Sequence, residues 1–140
     1  MARDWRALST FYQEVFECVP IGVERDYVGE TVNRVTGMSR VRVSGQHLRL
    51  PGHGDAGPTL EIFQYEPAGT RPNLTVQGPG FAHLAFEVDD LATKREEIIK
   101  RGGRDVGEVV TLPIEGEGSL TLLYLEDPEG NVLELQQWER

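Results

Sequence analysis

One pattern of secondary structure is predicted twice along this chain of 140 residues. The sequences RDWRAL (3–8) and DDLATK (89–94) both read as helix starts, each with an aspartate as the N-cap. The triplets LEI (60–62) and LEL (133–135) both lie near the end of a predicted series of strands. The sequence therefore predicts one structural unit that is used twice, which a chain of this length can accommodate in a single domain.

The periodicity of apolar residues and the turn-forming residues place the individual elements. The predicted elements are a helix over 4–17, a strand over 19–28, a short helical turn over 30–38, strands over 39–50 and 59–65, a strand over 81–88, a helix over 89–103, and strands over 105–112, 119–126 and 131–138. The strand 39–50 is expected to be irregular near Gly45, and DPEG (127–130) predicts a tight turn. Compared with the second copy, the first copy lacks its opening strand.

The boundary between the two copies is predicted at a stretch rich in proline and glycine within residues 66–80. We predict a first module over 1–67, a linker over 68–79 and a second module over 80–140.

Charge and composition exclude several classes of function. The net charge is −9, with 14 basic and 23 acidic residues, which argues against nucleic acid and anionic membranes as partners. The sequence has no apolar run of the roughly 20 residues that a transmembrane helix needs, and no apolar core of a secretory signal near Met1. Cys18 is the single cysteine, so an intrachain disulfide is impossible. These features predict a cytoplasmic protein.

Three predicted strands each place one potential metal ligand among apolar or aromatic neighbours. Strand alternation gives the three candidates as Glu61, His83 and Glu134. A carboxylate in such surroundings is costly unless a counter-ion or metal compensates its charge. Two glutamates and one histidine suit Zn, Mn, Ni, Co or Fe(II). The alternative interpretation is that the glutamates are solvated and that the histidine only makes hydrogen bonds.

Four segments resemble the vicinal oxygen chelate superfamily, and together they sample essentially the whole chain. The segments are GFAHLAFEVDDL (80–91), DPEGNVLELQQW (127–138), GPTLEIFQY (57–65) and DWRALSTFYQEVF (4–16). The superfamily includes glyoxalase I, methylmalonyl-CoA epimerase, extradiol dioxygenases, and bleomycin and fosfomycin resistance proteins. The resemblance implies an α+β fold in which two βαβββ modules form a curved mixed sheet around a divalent metal. It also implies that Glu61, His83 and Glu134 are the metal ligands.

The resemblance also implies a fourth metal ligand, but its expected position is not occupied by any residue of this sequence. His83 lies seven residues before Asp90, and the same distance before Asp4 falls at position −3, ahead of Met1. Either the coding sequence begins further upstream or the protein lacks this strand. His47 lies on a predicted strand and is an alternative ligand. Its spacing along the chain, however, does not support this role. His53 lies in a glycine-rich loop and is expected to be solvated.

The function implied by the resemblance is that of a glyoxalase-like metalloenzyme of the lyase or isomerase type. Such an enzyme acts on a small substrate with vicinal oxygens through metal-stabilised enediolate chemistry. Glu134 is the expected general base, with Glu61 as the second candidate. Two alternatives stay open, namely a metal-independent protein that binds small molecules of the antibiotic type, and a ring-cleaving dioxygenase.

Two further expectations concern the aromatic residues and the quaternary structure. Four aromatic side chains are candidates for lining a substrate pocket, with core packing as the alternative: Phe63, Tyr65, Tyr124 and Trp138. A homodimer is implied by the resemblance. It is also favoured physically, because a module without its first strand exposes an unpaired sheet edge.

Overall fold

The structure, a computed structural model, describes residues 1–71 and 75–140. The chain divides into two compact units, Met1–Arg71 (unit 1) and Pro72–Arg140 (unit 2). Residues 72–74 of the predicted linker lie outside the described residues. The elements in order are α1 (Trp5–Phe16), β1 (Val19–Val28), α2 (Glu30–Thr36), β2 (Arg42–Arg49), β3 (Thr59–Glu66), β4 (Leu84–Glu87), α3 (Leu91–Lys100), β5 (Arg104–Asp105), β6 (Val110–Ile114), β7 (Gly118–Glu126) and β8 (Val132–Glu139).

Helix α1 begins where its capping residue predicts. The Asp4 side chain accepts hydrogen bonds from the backbone N–H groups of Arg6 and Ala7, which have no partner inside the helix. The residues at helical spacing form one buried face: Trp5, Leu8, Ser9, Phe11, Tyr12, Val15 and Phe16. The predicted helix over 4–17 is therefore confirmed to within one residue at each end.

Unit 1 contains a three-stranded antiparallel sheet in the order β1-β2-β3. Helix α1 packs on the face that carries Gln46 and Gln64. The Ser9 hydroxyl donates a hydrogen bond to the Gln46 side chain, and the Trp5 N–H donates one to the Gln64 side chain. The opposite face carries an apolar cluster: Val32, Val41, Val43 and Phe63, with Tyr65 packed against it.

The irregularity expected near Gly45 lies on the neighbouring strand β1. Ile21 pairs with His47 and Arg25 with Gly45, so four steps along β1 match two steps along β2, as in a β-bulge. Gly45 itself allows strand β3 to approach β2 closely. A Cβ atom at this position would overlap the backbone carbonyl of Ile62 and the ring of Phe63, which lies across the glycine.

Unit 2 contains β4 to β8 in a mixed sheet, in which β4 pairs with β8 in parallel and the other pairs are antiparallel. The predicted strand 81–88 is wrong at its start, because only Leu84–Glu87 pairs with β8 and the Phe81 side chain is fully exposed. His83 therefore precedes the strand. Within the strand, Leu84 remains 39% exposed.

The predicted strand 105–112 is two strands, β5 and β6. The backbone N–H groups of Val106 and Gly107 both donate to the carbonyl of Tyr124. Two residues therefore oppose a single residue of β7, and the strand pairing is interrupted. Strand β6 then continues to Ile114, beyond the predicted end.

A buried aspartate fixes the tight turn before β8. The Gly130 N–H donates to the Asp127 carbonyl at 2.9 Å, which confirms the turn predicted for 127–130. The Asp127 carboxylate also accepts from the backbone N–H groups of Glu129 and Asn131, both at 2.9 Å. Because β8 begins directly after this turn, the turn helps to set the position of Glu134.

Two pairs of equivalent hydrogen bonds demonstrate the internal repeat. The Ala2 N–H donates to the Phe63 carbonyl at 2.7 Å, and the Val88 N–H donates to the Gln136 carbonyl at 2.8 Å. Each donor lies two residues before a capping aspartate, and each acceptor lies two residues after Glu61 or Glu134.

The second pair involves the first residue of each long helix. The Trp5 N–H donates to the Gln64 side chain, and the Leu91 N–H donates to the Gln137 side chain. Both glutamines lie three residues after their glutamate, so Glu61 and Glu134 hold equivalent positions in the two units.

The predicted fold class is confirmed. The protein is α+β and built from two related modules, and no described strand precedes α1 in unit 1. No helix among the described residues is long and apolar enough to cross a membrane.

We predict that Gly45→Ala destabilises the protein by about 1–3 kcal/mol, because the new Cβ forces β2 and β3 apart in a packed region. The measurement is urea denaturation followed by circular dichroism. Gly107→Ala is the matched control, since an added Cβ there meets no atom within 4 Å. If Gly45→Ala were as stable as wild type, the close approach of Ile62 and Phe63 to Gly45 would be contradicted.

Candidate metal centre

In unit 2, His83 and Glu134 lie within hydrogen-bond distance of each other. His83 Nε2 lies 2.9 Å from Glu134 Oε2, and the side chains are 28% and 8% exposed, respectively. Residue His83 precedes β4, and Glu134 lies on β8 opposite Ala85. The parallel pairing of β4 with β8 is therefore what brings these two predicted ligands together.

The buried carboxylate of Glu134 is held by further polar partners. Gln136 Nε2 donates to Glu134 Oε1 at 2.7 Å, and Trp138 Nε1 donates in turn to Gln136 Oε1 at 3.3 Å. Tyr124 lies opposite Glu134 on β7 and is hydrogen-bonded to it. These contacts offset the cost of removing a carboxylate from water.

Tyr124 contacts both His83 and Glu134. Its ring stands edge-on to the His83 ring, with centroids 5.0 Å apart. Burial raises the pKa of the Tyr124 hydroxyl, and the hydrogen bond to Glu134 and the negative charge of that residue add to the effect. The tyrosine therefore stays protonated and able to donate a hydrogen bond at neutral pH.

Unit 1 holds a second histidine–glutamate pair. His47 on β2 lies directly opposite Glu61 on β3, and His47 Nδ1 is 3.6 Å from Glu61 Oε1. The Glu61 side chain is 59% exposed, whereas that of His47 is 25% exposed. The ring of Phe63 stands edge-on to the His47 ring at a centroid distance of 5.5 Å.

The described residues thus bring the predicted ligands together in pairs. His83 meets Glu134, and Glu61 meets His47, the alternative ligand. Among residues 1–71 and 75–140, no group of three or more His, Cys, Asp or Glu side chains that could hold a metal ion is present. His53 is exposed in its loop, as predicted.

Cys18 does not offer a ready metal ligand. The side chain is buried, and burial raises its pKa to about 11. Because the thiolate is the form that binds metals, a metal at Cys18 would have to displace the proton of a buried thiol whose pKa is raised.

The aromatic candidates for a pocket differ in their surroundings. Phe63 is buried in the apolar cluster of unit 1, and Tyr65 packs against that cluster. Tyr124 and Trp138 instead belong to the polar chain that ends at Glu134. In unit 2, Tyr124 therefore contacts Glu134 directly, whereas Trp138 reaches it through Gln136.

The pairing of His47 with Glu61 was the part of the geometry that spacing did not predict. The hairpin itself was foreseeable, because only the loop over 51–58 separates the two predicted strands. Pairing the ends of those strands, Leu50 with Thr59, would however have placed His47 opposite Ile62, one residue away from its observed partner Glu61.

Comparison with known protein families identifies the class. The sequence model of the Glyoxalase/Bleomycin resistance protein/Dioxygenase superfamily matches residues 1–135. The chain therefore belongs to this superfamily, as its resemblance to the vicinal oxygen chelate proteins predicted. No curated protein matches the sequence.

Several solved structures share the fold of this chain. A glyoxalase family protein from Bacillus cereus is 22% identical, with a TM-score of 0.83 over 99% of this chain and 89% of the other. A glyoxalase/dioxygenase from Nostoc punctiforme is 18% identical, with a TM-score of 0.62 over 99% and 86%. The fosfomycin resistance protein FosX from Listeria monocytogenes, in complex with Mn(II) and sulfate, is 16% identical, with a TM-score of 0.52 over 99% and 86%.

We predict that Tyr124→Phe lowers the free energy of unfolding by about 1–2 kcal/mol, because it removes a hydrogen bond to a buried carboxylate. Urea denaturation of the metal-free protein measures the change. Tyr27→Phe serves as the control, since Tyr27 is 46% exposed on β1. If both variants were as stable as wild type, the Tyr124 hydroxyl would have no structural role at Glu134.

Proposed function

We propose that this protein is a glyoxalase-like, metal-dependent lyase or isomerase that acts on a small substrate with vicinal oxygens. The proposal extends the superfamily assignment with one observation, the 2.9 Å pair between His83 and the buried Glu134. Glu61, which occupies the equivalent position in unit 1, is also proposed as a metal ligand.

The donor atoms fit such a metal. Imidazole and carboxylate suit Zn, Mn, Ni, Co and Fe(II), and the structure of the Listeria relative contains Mn(II). Two ligands at about 2.0–2.2 Å from one metal lie about 3–3.5 Å apart. The His83–Glu134 separation of 2.9 Å is close to that range. When bound, the metal would polarise the vicinal oxygens of the substrate as a Lewis acid.

Glu134 is the proposed general base. In the reaction, the C–H bond next to the substrate carbonyl breaks, its proton goes to the Glu134 carboxylate, and its electron pair moves onto the substrate oxygens. Gln136 and Tyr124 hold the carboxylate in one position, and burial keeps competing water away. Glu61 is the second candidate, since its exposed carboxylate is less constrained.

Metal binding is the first test of the proposal. We predict one metal equivalent per chain after separate loading with Zn, Ni, Co, Mn and anaerobic Fe(II) and removal of free metal, measured by elemental analysis. His83→Ala should abolish retention, whereas His53→Ala should leave it unchanged because His53 is exposed in a loop. If none of the five metals is retained by wild type, the proposal is wrong and the metal-independent binding protein is favoured.

The general base is tested by hydrogen exchange from substrate carbon. We predict that Glu134→Gln slows deuterium incorporation next to the carbonyl of α-hydroxycarbonyl compounds by about 10²–10⁴-fold per bound metal. Proton NMR in D₂O measures the rate, and normalising to bound metal separates base loss from ligand loss. A larger loss in Glu61→Gln would assign the base to Glu61. Oxygen consumption by the Fe(II) form with a catechol would instead favour a ring-cleaving dioxygenase.

We also propose that the protein is a homodimer in solution. Strand β3 is the terminal strand of the unit 1 sheet, and exposed edges of this kind are usually covered. Light scattering at micromolar concentration should therefore give twice the chain mass of 15.7 kDa, and the mass of a single chain would contradict a dimer. The cytoplasmic location stays a prediction from the sequence.

A further inference from the structure

We propose that Trp138 is a positioning residue for Glu134 and acts through the side chain of Gln136. This inference rests on the proposed function, because it concerns the orientation of the proposed general base. All of the residues involved belong to unit 2. The sequence marks Trp138 only as a candidate for lining a pocket, whereas in the structure its indole N–H takes part in the hydrogen bonds that lead to the carboxylate.

The arrangement along β8 supplies the first argument. Glu134, Gln136 and Trp138 occupy alternate positions of this strand, so their side chains lie on the same face of the sheet. Gln136 Nε2 donates to Glu134 Oε1 at 2.7 Å, and Trp138 Nε1 donates to Gln136 Oε1 at 3.3 Å. A single amide group therefore connects the indole to the carboxylate.

The chemistry of the three groups supplies the second argument. An ionised carboxylate only accepts hydrogen bonds and an indole N–H only donates them, whereas an amide does both. Only one orientation of the Gln136 amide satisfies both neighbours, with its nitrogen towards Glu134 and its oxygen towards Trp138. A donor at the amide oxygen also polarises the amide N–H and strengthens its bond to the carboxylate. Trp138 therefore fixes both the direction and the strength of the contact between Gln136 and Glu134.

The surroundings of the indole supply the third argument. The Arg140 guanidinium lies over the Trp138 ring, 5.1 Å from the ring centroid. Its two terminal nitrogens donate to the Glu87 carboxylate at 2.9 and 3.3 Å. Glu87 lies on β4 directly opposite Gln136, so the group over the indole is tied to the neighbouring strand. The donor that orients the amide is therefore itself restrained.

The direct test is ¹H–¹⁵N NMR of the side-chain amides in the full, metal-free protein, with Trp138→Phe as the variant. Phenylalanine keeps an aromatic ring and removes the N–H donor, and the fold should persist because Trp138 is only partly buried. We expect the Gln136 amide of wild type to show a heteronuclear NOE close to that of the backbone. In the variant the value should fall towards that of the exposed Gln77, and the ¹³C signal of the Glu134 carboxylate should shift.

Signal assignment uses single substitutions. Gln136→Met removes the side-chain amide signal of Gln136 at nearly constant side-chain length. The chain contains two tryptophans, so the indole signal that remains in Trp138→Phe belongs to Trp5 and serves as an internal control. Its position should be the same in the variant and in wild type.

A double-mutant cycle on deuterium incorporation tests the route through Gln136. We expect Trp138→Phe to slow incorporation per bound metal by about 10-fold, the lower end of the range for residues that support a metal ligand. In a Gln136→Met background, Trp138→Phe should slow it no further, because the group that transmits its effect is already absent. A residue that contributes only to packing would have the same effect in both backgrounds.

The outcomes separate this inference from the proposed function. If the Gln136 amide is as ordered in Trp138→Phe as in wild type, the inference is wrong whether or not a metal binds. An equal effect of Trp138→Phe with and without Gln136 would also overturn it. If wild type neither retains metal nor exchanges deuterium, the proposed function is wrong, and the NMR spectra of the metal-free protein still decide whether Trp138 positions Glu134.

Discussion

The structure depends on how the start of each long helix is tied to the last strand of its own module. A backbone hydrogen bond joins Ala2 to Phe63 in unit 1 and Val88 to Gln136 in unit 2, and a glutamine side chain caps the adjoining helical N–H in both. These bonds set the last strand relative to the helix. They consequently determine which face of that strand is left to carry Glu61 or Glu134.

The carboxylates that share this position have different surroundings. Glu134 is withdrawn from water and held by an imidazole, an amide and a phenol, whereas Glu61 is largely exposed and has one imidazole nearby. A buried carboxylate with several donors is rigid, while an exposed one keeps its rotamer freedom. The same structural position thus holds a fixed carboxylate in unit 2 and a carboxylate with more rotamer freedom in unit 1.

The sequence predicted the elements whose signals are local. The cap at Asp4, the strand over 19–28 and the turn at 127–130 depend on residues within a few positions of each other, and all were located correctly. The fold class followed from the order of these elements and from the family resemblance.

The elements that were misplaced depend on distant partners. Phe81 and His83 alternate as strand residues do, but β8 pairs only with Leu84–Glu87. The division between β5 and β6 arises because two N–H groups share the carbonyl of Tyr124, which no local pattern records. The site residues themselves stay a prediction, and the pairing of Glu61 with His47 required the register of β2 against β3.

The position of Phe63 across Gly45 links the interior of unit 1 to its candidate site. The same ring packs among Val32, Val41 and Val43 on one side and contacts the imidazole of His47 on the other. A change of volume among those valines would be transmitted through one aromatic ring to the imidazole. Natural variation in apolar residues with no chemistry of their own is therefore a route by which related chains could adjust an imidazole without replacing it.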